Sequence, residues 1–222
     1  MSMWAQEEQK KQPEIQVVDS LYREDQLYFT FTYDSANKVK GLSQNKFSPG
    51  ISVGFLRDFP VNKARTYAIA IGLGYNLSVY NYNVYQFANT SGNGSAYNYE
   101  FISSDTYYKK NRLTLHAVEL PIELRWRAST IDSHKFWRIY TGFKLGYVFA
   151  DRYHFQNDVQ NVTYKNNSDL QKVQYGCYIA AGWNTWNFYA YYGLNALFKN
   201  ATVSGKPLEP QTLNIGLQFY IL

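Results

Sequence analysis

Only one cysteine, Cys177, occurs in 222 residues, which excludes an internal disulfide framework and a cysteine-based zinc site. No long hydrophobic run is present. Stretches free of strongly polar side chains reach about nine residues, as at 67–75 (YAIAIGLGY), against the ~20 that a membrane-spanning helix needs. A helical membrane protein is excluded. Charge is also scarce: Asp, Glu, Lys and Arg make up 18%, against roughly 25% in an ordinary soluble domain. The formal net charge is +5, and the Lys and Arg are scattered, with doublets only at 10–11 and 109–110. Nucleic-acid binding asks for a clustered basic face, so none is expected. What is abundant is aromatic, with 22 Tyr, 14 Phe and 5 Trp, a content that argues against disorder. The length suits one domain with a sizeable core.

The opening residues Ser2-Met3-Trp4-Ala5, followed by Gln6-Glu7, read as the tail of a signal peptide cut after Ala5. Residues 7–25 are polar and aperiodic and read as a flexible periplasmic arm. The expected division is therefore 1–25, leader remnant and arm, and 26–222, folded body.

From Gln26 on, the dominant signal is alternation, the mark of strands with two different faces. In the third such segment Tyr67, Ile69, Ile71, Leu73, Tyr75, Leu77 and Val79 share one face, and Ala68, Ala70, Gly72, Gly74, Asn76 and Ser78 the other. A soluble sandwich puts its bulky residues inward, where glycine and alanine would leave voids. A membrane barrel inverts this, with bulky residues toward lipid and small or polar ones in a narrow lumen. The same polarity recurs in Leu27–Tyr33, Ile51–Phe55, Val118–Trp126, Trp137–Phe149, Val173–Trp183, Phe188–Leu194 and Leu213–Ile221. These are eight segments, an even number, most near the 9–11 residues a tilted strand needs to cross a bilayer.

The connections alternate long (35–46), short (61–65), very long (83–111), short (128–135), long (151–170), two residues (Asn184-Thr185) and long (199–210). Outer-membrane barrels alternate short periplasmic turns with longer external loops in this order. Trp126, Trp137, Trp183 and Trp186 flank two of the short turns and are expected to form an interfacial girdle at one depth.

Eight strands leave an interior just wide enough for side chains. Glu119, Glu123, Arg125, Arg138 and Lys144 point inward by parity and are expected to form an ion-paired plug, since an unpaired charge in a low-dielectric interior is costly. Catalytic readings are weak. Glu119 and Glu123 stand four residues apart on a strand, roughly 13 Å, beyond the ~5–9.5 Å of a glycosidase pair. His116, His134 and His154 show no metal-ligand spacing. A hydrolase site would require a serine beside His116, and no motif supplies one. No catalytic, cofactor or metal site is expected. Cys177 reads as a small lipid-facing residue. The second and third external loops are rich in Tyr, Asn and Ser, a composition suited both to contact surfaces and to plain loop.

Several stretches carry a resemblance: SLYRED at 20–25, GFLRDFPVNKARTYAIAIGLGYNLSVYN at 54–81, VELPIELRWRAS at 118–129 and KFWRIYTGFKLGYVF at 135–149. They resemble the PorT family of outer-membrane barrels, from the type IX secretion and gliding system of Bacteroidota. YGCYIAAGWNTWNFYAYYGL at 175–194 is similar to the broader Bacteroidota barrel family, whose members often carry charged lumen residues where Asn187, Tyr189 and Tyr191 stand here. The resemblance implies an integral outer-membrane protein, without enzymatic activity, that serves export of cargo bearing C-terminal sorting domains.

The reading is an all-β, eight-stranded antiparallel transmembrane β-barrel, an up-and-down meander in the outer membrane. It would act as an accessory component of type IX secretion through contacts with other envelope proteins, with the lipid bilayer around it and with no nucleic acid or small-molecule substrate. Candidate contacts are the arm (Asp19, Tyr22, Arg23, to Asp25), the turns around Arg57-Asp58 and 128–135, and the external loops. The rival readings are a surface adhesin or general barrel acting through its external loops, and a lumen-binding or enzymatic barrel.

Overall fold

A computed structural model describes residues 25–37, 39–44, 46–62, 66–89, 97–103, 105–128, 137–183 and 185–221. The residues read as leader remnant and arm, Asp19, Tyr22 and Arg23 among them, lie outside the described residues, as do most of 128–135 with His134, and Asn184.

The described residues form thirteen strands: β1 (Asp25–Asn37), β2 (Pro49–Pro60), β3 (Tyr67–Tyr80), β4 (Val84–Ala88), β5 (Tyr97–Phe101), β6 (Lys110–Arg127), β7 (Trp137–Gln156), β8 (Asn161–Lys165), β9 (Val173–Trp183), β10 (Trp186–Ala196), β11 (Thr202–Val203), β12 (Lys206–Pro207) and β13 (Gln211–Ile221). Eight of them, β1, β2, β3, β6, β7, β9, β10 and β13, pair antiparallel in a ring. β1 pairs with β13 from Leu27↔Ile221 to Asn37↔Gln211, and the β6–β7 pairing completes the circle. The fold is a closed eight-stranded antiparallel barrel, as the alternation predicts.

The facing also follows the alternation in the membrane-crossing part. Leu27, Phe29, Phe55, Ile69, Ile71, Leu124, Ile139, Leu145, Ile179 and Phe188 are exposed on the outer wall. Burying such residues in hydrocarbon is what holds a barrel in a bilayer, at about 1.5–3 kcal/mol for each large side chain. Behind them, Gly54 and Gly74 are placed for close approach, because a Cβ on either would meet the Tyr28 side chain.

One expectation fails at the outer end. The residues read as external loops 83–111, 151–170 and 199–210 carry strands. β6 has 18 residues and β7 has 20, roughly 60 Å of strand, where the apolar band is about 25 Å tall. The upper reach of β7 pairs with β8. A second, four-stranded sheet in the order β12-β11-β5-β4 covers the mouth. Its β11–β12 hairpin turns on Ser204 and Gly205, both at positive φ (50° and 74°), as a tight two-residue turn requires.

In this outer layer the polarity reverses. Leu113, Leu115, Val148, Tyr153 and Phe155 point inward and join Tyr82, Val84, Tyr99, Leu170, Leu197 and Phe198 in an apolar core, while Lys110, Arg112 and Arg152 face out. Water surrounds this part, so bulky residues gain by facing one another. The reversal is accommodated by a register shift between His116 and Ala117 of β6, where Phe149 of β7 is the extra residue. Below it the even residues of β7 face in; above it Asp151, Tyr153 and Phe155 do. The bulge breaks the period of two, which is why alternation alone ends this strand at Phe149.

Candidate functional site: an ion-locked lumen

Two plugs fill the barrel: the apolar outer core just described and a charged, tyrosine-rich inner one. The inner plug is built on three adjacent strands. Asp58 on β2 stands beside Ala70 on β3, which stands beside Glu123 on β6. The small alanine between them leaves room for side chains to reach across. Arg125, opposite Ala68, takes that room. Its Nε donates to Glu123 Oε2 at 2.7 Å, and its Nη1 to Asp58 Oδ1 at 3.1 Å and to Gln26 Oε1 at 3.0 Å. Arg127 bonds the other Asp58 oxygen through Nη2 and the Tyr140 hydroxyl through Nε at 3.0 Å. Asp58 and Glu123 are 0% exposed and Arg125 2%.

Higher up, Lys144 on β7 pairs with Glu119 on β6 at 3.0 Å and donates to the Tyr189 hydroxyl at 3.0 Å. Tyrosines satisfy the remaining carboxylate oxygens. Tyr28 donates to Glu119 Oε1 at 2.7 Å. Tyr178 and Tyr220 donate to Glu123 Oε1 at 2.9 and 3.2 Å. Aromatic rings flank the cations as well, with the Arg125 guanidinium 4.8 Å from the Tyr140 ring centre and 5.4 Å from that of Tyr220. Arg138 lies 6.0 and 5.9 Å from the same two rings. In a dry lumen each of these contacts is stronger than in water and each loss is correspondingly costly.

Of the residues expected in the lumen, Glu119, Glu123, Arg125, Arg138 and Lys144 are brought together. Two others were missed. Arg127 sits at the strand end, where the turn was expected to begin. Asp58 is a correction: assigned to a periplasmic contact surface, it is fully buried and bound to two arginines, so no partner can touch it. Its even parity with Ser52 and Leu56 on β2, opposite Val53 and Phe55, was the signal. Its neighbour Arg57 does face outward. Between the two plugs lies a cavity of about 60 Å³ whose lining includes Thr32, Asn76, Glu119, Lys144 and Asn214, room for a few waters.

At the inner rim Trp137 is paired with Trp183, and Trp183 with Trp186. The Trp137 and Trp183 rings meet edge to face at 5.4 Å, and Trp186 meets Phe219 at 5.0 Å. Trp126, beside Tyr67, continues the belt. An outer belt, which the sequence reading lacked, consists of Tyr75, His116 and Phe149 on β3, β6 and β7, with the Tyr75 hydroxyl 2.6 Å from His116 Nδ1. The His116 ring thus faces outward and bonds a tyrosine rather than a serine.

In the outer layer, Asp169 Oδ2 accepts from the Tyr99 hydroxyl at 2.9 Å, and Asn167 Nδ2 donates to the same hydroxyl at 2.8 Å. Burial pushes the Tyr99 phenol well above its ordinary pKa, with the Asn167 hydrogen bond opposing. Burial likewise raises that of Tyr82.

A closed barrel with an apolar outer band, aromatic belts at two depths and a charged, filled lumen defines an integral outer-membrane β-barrel protein. Residues 4–199 match the family described as outer membrane protein beta-barrel domain, and the chain belongs to that family. None of the curated proteins matches the sequence.

Proposed function

We propose that this barrel is a non-enzymatic accessory component of type IX protein secretion, working through contacts with other envelope proteins. Two things support the reading. The stretches at 20–25, 54–81, 118–129 and 135–149 resemble the PorT family. The observation that carries a contact role is the filled lumen: ion pairs close it at the level of Arg125, and the apolar core closes it again at Leu113. A protein so filled offers partners its surfaces, namely the periplasmic turns and arm and the folded external layer. The test is deletion of the gene in its native host. Cargo with C-terminal sorting domains then accumulates in the periplasm; normal export in the deletion strain overturns the reading.

A surface-binding role is the second reading, favoured by the external layer, which is a packed sheet with its own core rather than loose loop. It predicts that replacing 84–101 with a short linker abolishes adhesion while export continues.

A further inference from the structure

The lysines and arginines that look scattered in the sequence are gathered by the outer reach of β6, β7 and β8. On their outward face Arg152 stands opposite Lys165, Arg112 opposite His154, and Lys110 opposite Gln156. The four Lys and Arg are all exposed. None of the residues that share this face on the three strands is acidic. Asp151 points inward to Lys172 at 2.7 Å, and Asp158, at the hairpin tip, is held by Lys109 at 2.8 Å.

The arrangement is locally unfavourable. The backbone bond from Asn157 to Gln160 sets the alternation in the β7–β8 hairpin, which makes Arg152 and Lys165 a non-hydrogen-bonded pair. Their Cα atoms are then about 4.5 Å apart, the closer of the two antiparallel spacings. Like charges directly opposite on a sheet repel. Neither has an acidic partner among the described residues, which leaves the pair open to an anion from outside the chain.

The position of the face says what supplies it. It is the same wall of β6 and β7 that faces lipid lower down. His116 and Phe149 belong to the outer aromatic belt, and Thr114, the residue paired with Arg152, is two residues above His116, about 7 Å along the strand. Aromatic belts mark the boundary between hydrocarbon and headgroups. The cations therefore begin where the headgroups begin, and phosphate groups at that level are held by clustered Lys and Arg.

We propose that this face binds the phosphate-bearing headgroup of an outer-leaflet lipid, with Arg152, Lys165 and Arg112 as its principal donors. The proposal is independent of the export role. It is tested with the full chain folded into phosphatidylcholine nanodiscs carrying lipid A, either phosphorylated or enzymatically dephosphorylated, and with native mass spectrometry to count the lipid that stays bound. The wild-type barrel retains the phosphorylated form about tenfold better. The triple variant Arg112→Gln/Arg152→Gln/Lys165→Gln loses that preference, and Lys199→Gln, an exposed cation elsewhere on the outer surface, keeps it.

A second measurement stands even if the triple variant folds poorly. Lys165→Gln raises the melting temperature in pure phosphatidylcholine, because repulsion is relieved, and lowers it relative to wild type in phosphorylated lipid A, because a ligand contact is lost. Equal retention of the two lipid A forms overturns the proposal, as does a triple variant that keeps the preference, or a Lys165→Gln effect of the same sign in both bilayers. Saturable capture of poly-glutamate with no lipid preference also overturns it and points to an acidic protein partner instead.

Discussion

Arg125 and Asp58 meet at 3.1 Å from strands that are not neighbours, reaching past the β3 alanines that separate them. The contact ties three staves of the barrel together from within. Removing one partner of such a pair leaves an uncompensated charge where water cannot reach it.

Asp58→Ala strands Arg125 and Arg127 together, and is expected to lower stability by about 3–5 kcal/mol. Arg57→Ala, one position along and facing outward, is expected to cost under about 1 kcal/mol. Urea unfolding of the refolded barrel in detergent, followed by the heat-dependent shift in gel mobility, measures both. Equal costs for the two would refute the buried-lock assignment.

Gly74 and Tyr28 are coupled. A Cβ at position 74 falls on the Tyr28 hydroxyl, which donates to Glu119. Gly74→Ala is expected to cost about 1–3 kcal/mol through crowding. In a Tyr28→Phe background the penalty shrinks, giving a coupling of at least about 0.5 kcal/mol in a double-mutant cycle. Strict additivity would show that the two do not share the space.

On the lipid side, Ile71→Arg places a charge against hydrocarbon and is expected to cost about 2–4 kcal/mol near mid-bilayer. Its inward neighbour Gly72→Ala acts differently, since the added carbon meets the Phe55 carbonyl and Leu56 Cδ2. Folding yields into vesicles of graded thickness separate them: the Ile71 variant responds to the bilayer, and the Gly72 variant does not.

Alkaline solution should open the outer layer. Burial raises the Tyr82 and Tyr99 phenols above the ordinary value, so the folded layer keeps protons that the unfolded chain releases near pH ~10. This contribution to stability is whole below about pH 10 and is lost as pH climbs further, through the folded-state values. Amide exchange in β4 and β5 is expected to accelerate beyond the intrinsic base-catalysed rate above about pH 10, and unaltered protection there would contradict it.

Deleting Ala150, next to the bulge, removes the extra residue of β7, so Phe149 should pair with His116 while Tyr153 and Phe155 keep facing inward and Arg152 outward. The expected result is an outer layer that stays resistant to protease in intact vesicles, on a barrel that keeps its heat-dependent mobility; a protease-cut outer layer would refute the bulge assignment.

Strand number, closure and the lipid-facing residues were legible because hydrocarbon imposes one rule over the whole crossing segment. The Ile69–Leu73 and Val118–Leu124 faces follow from parity alone. The outer layer was not legible because the solvent changes there and the rule inverts with it: Leu113 and Leu115 face in on the same strand whose Leu120 and Leu124 face out. The extra residue at Phe149 hid the continuation of β7. Glu119, Glu123, Arg125 and Lys144 are legible through inward parity on long strands, whereas Asp58, of the same inward parity, stands two residues from the end of β2 and resembles a turn residue. The cationic face depends on register between strands that are distant in sequence, which no linear spacing reveals.

The great length of β6 and β7 has one more effect. Both pass unbroken from the periplasmic rim to the outer reach of the barrel wall, where β7 turns into the β7–β8 hairpin, so that hairpin is carried by the wall itself. Anything that lands on it is held at a fixed altitude and bearing above the cell, as if on a mast stepped through the hull.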